Sequence, residues 1–458
     1  MAFKLKLFVI LFTVVCISAE YISYRDYKVY KITPESENEL AILKKVEKEN
    51  EFFFWMEVGK VGRDVRIMVR PDKQNKFEKY MANLGLKPFL FIDDVQSLID
   101  DQLKKPSRAS RRSAKYDWTY YQNFEEIYDW MNETAAEYPD IVSLIDIGRS
   151  VENRPIIGMK IDYKKKENPV IGVFEGTLHA REWITPVTLT WIVKEFLTSR
   201  DEKIRFLAEN IVWHVFPITN PDGFIYTFTG NRMWRKNRSR ANFTSCGQYL
   251  DDDMSNGVDL NRNFDFVWME VGASQNPCIN TFAGPRAFSE PESNAIASHV
   301  LRLKKEGNLM YYFAVHSYGQ LILVPYSHVG GADVLEVSNY GDLFEMAIKG
   351  AAKLTERHNT SYAVGTSLDI LYPASGTGFD WAKGEANIPL VFLYELRDLG
   401  QYGFLLPPEQ IIPNSEEVLD SLIEIDRVAR QIGYYSDGYA IKISTMLLLI
   451  ALIFSCMI

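Results

Sequence analysis

The chain has 458 residues, of which 47% are apolar and 24% charged, and its formal net charge is −9. These proportions are typical of a globular protein and exclude global disorder, while the acidic balance argues against a nucleic-acid binder. Four cysteines are too few for a small disulfide-based scaffold. Two of them, Cys246 and Cys278, lie in the body of the chain and the other two in apolar end segments.

Residues 1–19 have the pattern of a secretory signal peptide. Two lysines precede an apolar run over 7–17, and a small-residue cleavage site follows at Ser18-Ala19. The run is too short to span a bilayer as a helix. We therefore expect entry into the secretory pathway, where a Cys246–Cys278 disulfide can persist. Four Asn-x-Ser/Thr sequons are compatible with that route: Asn132, Asn237, Asn242 and Asn359.

Residues 20–112 predict a small α+β domain. Alternation over 27–32 and short apolar runs over 52–56, 65–69 and 89–92 indicate strands, and helical patterns cover 37–49, 71–84 and 93–103. Asp93 is the expected N-cap of the last helix. The order β-α-β-β-α-β is that of a ferredoxin-like domain.

The stretch 104–112, Lys-Lys-Pro-Ser-Arg-Ala-Ser-Arg-Arg, has no apolar periodicity and predicts a linker. Such a run is commonly only a solvated charged segment. Because it separates two different structural patterns, we interpret it as a cleavage site for a trypsin-like protease, ending at Arg112.

Residues 113–434 predict an α/β domain with a mixed, mostly parallel central sheet flanked by helices. Near-continuous apolar runs at 170–174, 211–218, 310–315 and 390–394 suit strands buried on both faces. Amphipathic helices, such as 186–197 and 290–303, lie between them.

Polar residues follow three of these strands. His179 and Glu182 follow the first, His316 follows the third and Glu395 the fourth. Ligands bind beyond the carboxyl ends of strands in open α/β sheets, and a catalytic zinc typically takes three His or Glu ligands. His-x-x-Glu alone is a weak signal. The other four histidines (His214, His299, His328 and His358) are expected to be ordinary surface or core residues.

Longer motifs connect these residues to a family. They are His179-Ala-Arg-Glu-Trp-Ile, Asn220-Pro-Asp-Gly, Asn231-Arg-Met-Trp-Arg-Lys, Gly257-Val-Asp-Leu-Asn-Arg-Asn, His316-Ser-Tyr and Glu395-Leu-Arg-Asp. In this order they resemble the secreted zinc metallocarboxypeptidases of the pancreatic carboxypeptidase A/B type, over residues 20–434. The resemblance implies a carboxypeptidase-like fold behind an activation propeptide. It also implies a monomeric zymogen that hydrolyses the C-terminal bond of peptides and proteins.

The resemblance assigns the metal site. His179, Glu182 and His316 would bind one Zn²⁺, and Asp259 would accept a hydrogen bond from His179. Glu395 would act as general base. From the residues alone, Glu395 could instead form a structural ion pair with Arg397.

The resemblance also assigns the substrate contacts. Asn261 and Arg262 would hold the terminal carboxylate, since Arg suits bidentate carboxylate binding. Arg235 would stabilise the oxyanion, Arg181 would contact residues further up the substrate, and Tyr372 would fold over the bound terminus. The residues alone suggest that Arg232 and Lys236 are solvated surface charges.

In this family one side chain at the base of the terminal pocket largely sets specificity, and here it is Phe379. An uncharged side chain offers no partner to a charged end residue, whose unpaired burial is costly. We therefore expect a preference for apolar C-terminal residues, with smaller aliphatic ones favoured because Phe is bulky. Ser327 and Ser367 would also line the pocket.

Residues 435–458 resemble a GPI-attachment signal. The small polar triplet Ser436-Asp437-Gly438 and a spacer precede an apolar stretch over 446–458. A single tail helix is the alternative, although the stretch is short and no basic residues follow it. Either way we expect an extracellular protein attached to the cell-surface membrane.

Two further hypotheses remain. A catalytically silent surface binding protein could keep the same fold, but the complete set of site residues argues against it.

The net charge differs in sign between the two domains, since residues 20–112 carry +3 and residues 113–434 carry −14. This opposition suggests that charge helps the propeptide to dock.

Overall fold

The computed structural model describes residues 21–105, 116–240, 246, 256–331 and 337–435. The expected signal peptide, the cleavage site at Arg112 and the C-terminal tail after Tyr435 lie outside these residues. Within the described ranges, no helix has both the length and the apolar composition needed to cross a membrane.

The N-terminal domain has the expected ferredoxin-like order. Its antiparallel sheet has the strand order β2-β3-β1-β4. The strands are β1 (Lys28–Ile32), β2 (Phe53–Phe54), β3 (Val65–Val69) and β4 (Phe89–Ile92), and the helices are α1 (Glu37–Glu49), α2 (Gln74–Asn83) and α3 (Val95–Gln102). Apolar side chains of α1 and α2 pack on the sheet in one buried cluster.

Two helix starts in this domain differ from the prediction. The helix expected from residue 71 begins with a 3₁₀ turn, Pro71–Lys73, before α2. The N-cap of α3 is Asp94, which accepts the Gln96 N–H at 3.1 Å. Asp93 forms an ion pair with Lys28 at 3.0 Å instead. With two adjacent aspartates, the extended backbone at Asp94 decides which one caps the helix.

The second domain is built on an eight-stranded sheet in the order β11-β10-β12-β9-β7-β8-β6-β5. Its four central strands, β12, β9, β7 and β8, are parallel, as predicted. The pairs β10–β12, β6–β8 and β5–β6 are antiparallel, so the sheet is mixed. The strands are β5 (Val142–Arg149), β6 (Pro155–Ile161), β7 (Val170–Gly176), β8 (Ile211–Phe216), β9 (Asn308–Ser317), β10 (Leu321–Leu323), β11 (Ala363–Gly365) and β12 (Leu390–Leu396).

Helices cover this sheet, and two large apolar clusters form the core. The helices are α4 (Phe124–Glu137), α5 (Ile184–Thr198), α6 (Glu202–Asn210), α7 (Pro221–Thr229), α8 (Pro291–Glu306), α9 (Tyr340–His358), α10 (Ser367–Ile370), α11 (Gly378–Gly384) and α12 (Ile411–Gln431). Cys246 and Cys278 form the expected disulfide, with Cα atoms 5.4 Å apart.

Three of the four central strands, β7, β9 and β12, run further than their apolar runs predicted, whereas β8 ends at Phe216, before the predicted end at residue 218. β9 includes His316, β12 includes Glu395, and these two residues are register partners on adjacent parallel strands. Because backbone pairing continues past the last apolar residue, the polar side chains lie on rigid strand ends. The sheet therefore positions both of them directly.

Candidate active site

Three candidate metal ligands converge at the carboxyl edge of the central sheet. His179 and Glu182 lie in the turn from β7 into α5, where the Glu182 N–H donates to the His179 carbonyl at 3.2 Å. His316 comes from β9. All three side chains are buried, so their polar atoms face one another rather than solvent.

The geometry of these atoms fits a zinc ion. Nδ1 of His179 lies 2.7 Å from Oε1 of Glu182 and 3.1 Å from Nδ1 of His316, and Nδ1 of His316 lies 3.1 Å from Oε2 of Glu182. Ligands about 2.0–2.1 Å from a tetrahedral zinc stand about 3.3 Å apart. Two imidazoles and one carboxylate are also a usual donor set for catalytic zinc, which leaves a position for water.

Asp259 connects this triad to an arginine. Its Oδ1 lies 3.1 Å from Nε2 of His179, and its Oδ2 accepts Nε and Nη2 of Arg235 at 3.0 and 2.8 Å. Burial alone would raise the pKa of this carboxyl, but Arg235 and His179 hold it well below its ordinary value. Burial and the charge of Arg235 lower the pKa of His179. A neutral imidazole is the form that binds a metal.

Glu395 lies beside His316 and is buried. Burial and the nearby Glu182 carboxylate raise the pKa of Glu395 to about 8, against the attraction of His316 and Arg235. The alternative ion pair with Arg397 is wrong, because Arg397 binds Glu417 at 2.8 and 2.5 Å. Glu395 is thus a carboxyl with a perturbed pKa at the edge of the site, as a proton-transfer group requires.

Arg181 and Arg262 are bound by groups of the N-terminal domain. Arg262 Nη2 donates to Glu57 Oε1 at 2.5 Å, and Arg181 Nη2 donates to the Trp55 carbonyl at 2.9 Å. The Arg181 guanidinium also stacks on Phe404, 4.0 Å from the ring centroid. Two cations expected to contact substrate therefore bind propeptide groups in this structure.

Arg232 and Lys236 are buried, so the expectation of solvated surface charges is wrong. Arg232 donates to Gln102 Oε1 and to the Phe404 carbonyl, and it stacks on Trp183 at 3.7 Å. Lys236 donates to the Pro277 carbonyl at 2.7 Å. Carbonyls and aromatic faces compensate for the burial of these two charges.

Most hydrogen bonds across the domain boundary join a side-chain donor to a backbone carbonyl. Asn50 and Lys60 donate to the carbonyls of Cys278 and Asp369 at 3.3 and 2.5 Å. The same kind of hydrogen bond joins Arg63 to the Ile370 carbonyl, Arg66 to that of Gly400, and Gln102 to those of Phe404 and Leu406.

Between residues the structure describes, just two ion pairs cross the boundary, Glu57–Arg262 and Lys105–Glu126. The opposite net charges of the two domains therefore produce few direct ion pairs between them.

A cavity of about 510 Å³ remains between the two domains. The catalytic side contributes His179, Arg235 and Glu395 to its lining, and the N-terminal domain contributes Phe53 and Glu57. The segment 53–57 thus lies directly over the metal triad. The sequence alone assigned no role to this segment, although it contains an aromatic run that a single acid, Glu57, follows.

The residues expected around the terminal pocket also lie together. Asn261 Oδ1 accepts the Gly378 N–H at 2.9 Å, next to Phe379 on α11. The Ser367 hydroxyl donates to the Tyr372 carbonyl at 2.6 Å. Phe379 is almost fully buried, in an apolar cluster with Phe264, Leu371 and Trp381.

Ser327 is fixed near this pocket by a buried acid. Asp380 accepts the Ser327 N–H with both carboxylate oxygens, at 3.1 and 2.9 Å. Burial raises the pKa of Asp380 to about 7. This carboxyl is therefore engaged by the backbone and not presented as a free anion.

Comparisons with known proteins agree with the geometry. The family model described as "Zinc carboxypeptidase" matches residues 127–421, and "Carboxypeptidase activation peptide" matches residues 30–102. The chain is 39% identical over 426 residues to Zinc carboxypeptidase A 1 of Anopheles gambiae, covering 92% of this chain and 94% of that protein.

Solved structures are similar as well. The crystal structure of carboxypeptidase A from Helicoverpa armigera aligns with a TM-score of 0.78 at 28% identity, covering 91% of this chain and all of that one. Thrombin-activatable fibrinolysis inhibitor aligns with a TM-score of 0.79 at 29% identity, covering 89% and all of the respective chains. With its activation peptide and its metal triad of His179, Glu182 and His316, the chain belongs to the zinc carboxypeptidase family.

Proposed function

We propose that this zinc carboxypeptidase removes apolar residues from the C-termini of peptides and proteins once its propeptide has been cut away. The observation that carries the proposal is the Glu57–Arg262 ion pair beside the metal triad. A propeptide carboxylate already binds the guanidinium that would receive a substrate's terminal carboxylate. A cleft with a carboxylate-binding arginine next to a hydrolytic centre suits cleavage at a free C-terminus.

Each site residue has a role in the proposed reaction. Arg262 and Asn261 bind the terminal carboxylate, and Tyr372 covers it. His179, Glu182 and His316 would hold a zinc ion, which would supply a water of lowered pKa and a Lewis acid for the scissile carbonyl. Glu395 takes the proton of the attacking water at a carboxylate oxygen and passes it to the leaving amine.

Arg235 donates hydrogen bonds to the oxyanion that develops on the carbonyl oxygen. Such a donor contributes about 3–4 kcal/mol to transition-state stabilisation in other enzymes. Asp259 holds this guanidinium through two bonds, so that little reorganisation is needed during the reaction. Arg181 contacts substrate residues further from the terminus.

The burial of Phe379 among apolar side chains supports the preference for apolar end residues. A charged end residue would lose its hydration there without gaining a partner. A kinetic panel of peptides that differ only in the last residue tests this. We expect kcat/KM to be highest for aliphatic ends, and Phe379→Asp to shift the preference toward Lys and Arg. Wild-type preference for Lys or Arg would contradict the proposal.

Activation is proposed to follow cleavage by a trypsin-like protease after Arg112. The cover that residues 53–57 form over the site supports latency before the cut. Limited trypsin treatment of the full chain should raise activity and yield a fragment beginning at residue 113. Activity that does not change on cleavage would argue against latency.

The protein is further proposed to be extracellular and attached to the membrane through its C-terminal segment. The Cys246–Cys278 disulfide supports an oxidising compartment. Treatment of intact cells with a phosphatidylinositol-specific phospholipase should release the enzyme if the anchor is GPI. Retention after this treatment would favour a tail helix, and recovery in the medium without treatment would contradict both anchors.

A further inference from the structure

The sequons of the chain differ sharply in their surroundings. Asn242 lies outside the described residues, but Asn132, Asn237 and Asn359 are described. N-glycosylation replaces one proton of an Asn side-chain amide by a bulky, hydrated sugar chain. A native fold can therefore carry a glycan only where that nitrogen reaches solvent.

The Asn237 carboxamide is fully buried, and both its nitrogen and its oxygen form two hydrogen bonds. Its Nδ2 donates to Glu290 Oε2 at 2.7 Å and to Glu292 Oε2 at 3.1 Å. Its Oδ1 accepts the N–H groups of Val258 and Ser239 at 2.8 and 3.2 Å. The Ser239 hydroxyl, the third element of the sequon, also donates to Glu290.

A sugar on Asn237 would break at least one of the two bonds to buried carboxylates. It would also need a path to solvent from a residue of zero exposure. Leaving Glu290 or Glu292 without this donor would carry the cost of an unsatisfied buried group. The folded protein therefore excludes a glycan at this position.

Asn359 is the opposite case. It follows α9 in a left-handed conformation (φ 57°, ψ 32°), and its N–H donates to the Thr355 carbonyl at 2.9 Å. The backbone of the turn is fixed again at Ser361, whose carbonyl accepts Gln320 Nε2 at 2.9 Å. The side chains of Asn359 and Ser361 are both exposed. The sequon thus lies in a hydrogen-bonded turn, and its Asn359 and Ser361 side chains are in solvent.

Asn132 is intermediate between these two. It is exposed on α4, but its Nδ2 donates to the Tyr128 carbonyl at 2.8 Å, and Thr134 of the same sequon is buried. Of the three described sequons, only that of Asn359 combines an exposed Asn with an exposed hydroxyl residue.

We infer that Asn359 carries an N-linked glycan in the mature protein and that Asn237 does not. The donor is an oligosaccharide on a lipid diphosphate. The Asn359 amide nitrogen bonds to the anomeric carbon, the bond from that carbon to the diphosphate oxygen breaks, the nitrogen gives up one proton and the lipid diphosphate leaves. The inference rests on the proposed secretory route, which brings the chain to such donors.

The test uses the full chain expressed in insect cells. Native protein is recovered from the medium or, if anchored, from the cell surface, and is treated with peptide N-glycosidase in ¹⁸O water, which converts each glycosylated Asn to labelled Asp. Peptide mapping should find the label at Asn359 and unmodified Asn at 237. Asn359→Gln and Ser361→Ala should each remove one glycan from the intact mass and leave activity after trypsin treatment unchanged.

Asn387→Gln is the matched control. Asn387 is exposed and left-handed like Asn359 (φ 51°), but it lies in no sequon, so its replacement should leave the glycan mass unchanged. A disulfide-bonded chain at the cell surface or in the medium with unmodified Asn359, or with a glycan on Asn237, overturns this inference alone. A chain retained in the cytosol without its disulfide overturns the secretory proposal and this inference with it.

Discussion

The metal triad and the arginines proposed to bind substrate are neighbours, yet their charges are compensated in opposite ways. His179, Glu182, His316 and Asp259 bind one another, and the other charged partner of Asp259, Arg235, also belongs to the catalytic domain. Arg262 and Arg181 instead bind Glu57 and the Trp55 carbonyl of the propeptide.

This difference indicates how latency is built. A buried charge without a partner is costly, so the hydrolytic centre is completed by its own domain and needs no rearrangement on activation. The arginines hold propeptide groups in place of a peptide terminus. Removal of the propeptide should leave the metal site intact and free the two arginines that are proposed to bind substrate, and four predictions test that division.

The largest expected effect lies on the catalytic side. Glu395→Gln keeps the size of the side chain but cannot take a proton, so kcat of the activated enzyme should fall by about 10³-fold, within the range for a lost general base. Zinc content measured on the same preparation should stay at wild-type level, because Glu395 is not among the ligands.

Glu292→Gln provides the matched control, since Glu292 is a buried carboxyl that contacts Val151 and Asn237 rather than the metal ligands. It should leave kcat near wild type. Residual activity of Glu395→Gln within tenfold of the wild type would exclude Glu395 as the base.

The second effect concerns how firmly the site holds its metal. Asp259→Asn weakens the support of His179 and removes the charge that pairs with Arg235. Loss of such a supporting carboxylate typically costs about 10–100-fold in metal affinity. Competition with a chelator, followed as zinc release over time, should show faster loss from the variant, in the zymogen as well as in the activated enzyme.

Asp222→Asn controls for the loss of a buried carboxylate elsewhere. Asp222 is also buried, and it binds Ser150, Arg154 and the Glu152 N–H. Its variant should release zinc at the wild-type rate. Equal zinc release from both variants would mean that Asp259 acts through general stability and not through His179.

The third effect lies on the propeptide side. Glu57→Gln removes the charge that binds Arg262, and a hydrogen bond to a charged group contributes about 1.5–3 kcal/mol. The uncleaved zymogen should therefore hydrolyse a small peptide roughly tenfold faster or more, while zinc retention stays unchanged. Glu51→Gln alters another propeptide acid, which binds Lys76, and should have no effect. An unchanged zymogen would indicate that steric cover alone maintains latency.

The sequence predicted the elements that depend on local patterns. The strands over 65–69 and 89–92 and the helix over 37–49 have the predicted bounds, because short apolar runs define the strands and a helical pattern defines the helix. The ends of β9 and β12 were missed, since His316 and Glu395 interrupt the apolar run while backbone pairing continues. The choice between Asp93 and Asp94 as N-cap depended on backbone geometry that two adjacent aspartates do not reveal.

The residue types at three strand ends suggested a zinc site, but the family resemblance was needed to assign His179, Glu182 and His316 as its ligands, and the structure brings these three together. The same resemblance assigned the remaining site residues, whose roles stay predictions. The burial of Arg232 could not be predicted. Its partners Gln102 and Phe404 are 130 and 172 residues away along the chain. The tertiary fold brings Phe404 to Arg232, and the docked propeptide supplies Gln102. The role of Glu57 could not be predicted either. Nothing in the sequence distinguishes it from other acids, and its ion pair with Arg262 forms only across the domain boundary.

The smallest expected effect is a pH dependence of the stability of the zymogen. Glu47 lies at the edge of the interdomain cavity, where its Oε1 accepts the Val58 N–H at 3.1 Å. Burial, followed by the charge of Glu57, raises the pKa of Glu47 to about 8. Because this pKa is higher in the folded zymogen than in the unfolded chain, the folded form binds the proton more tightly.

This contribution to stability is fully present below the ordinary Glu pKa and is lost as pH rises through about 8. Glu47→Gln mimics the protonated form at every pH. The thermal midpoint of the variant zymogen should therefore match the wild type in acid and exceed it increasingly toward alkaline pH. Glu49→Gln, an exposed acid on the same helix, should not show this widening gap. A gap that stays constant with pH would mean that folding does not raise the pKa of Glu47.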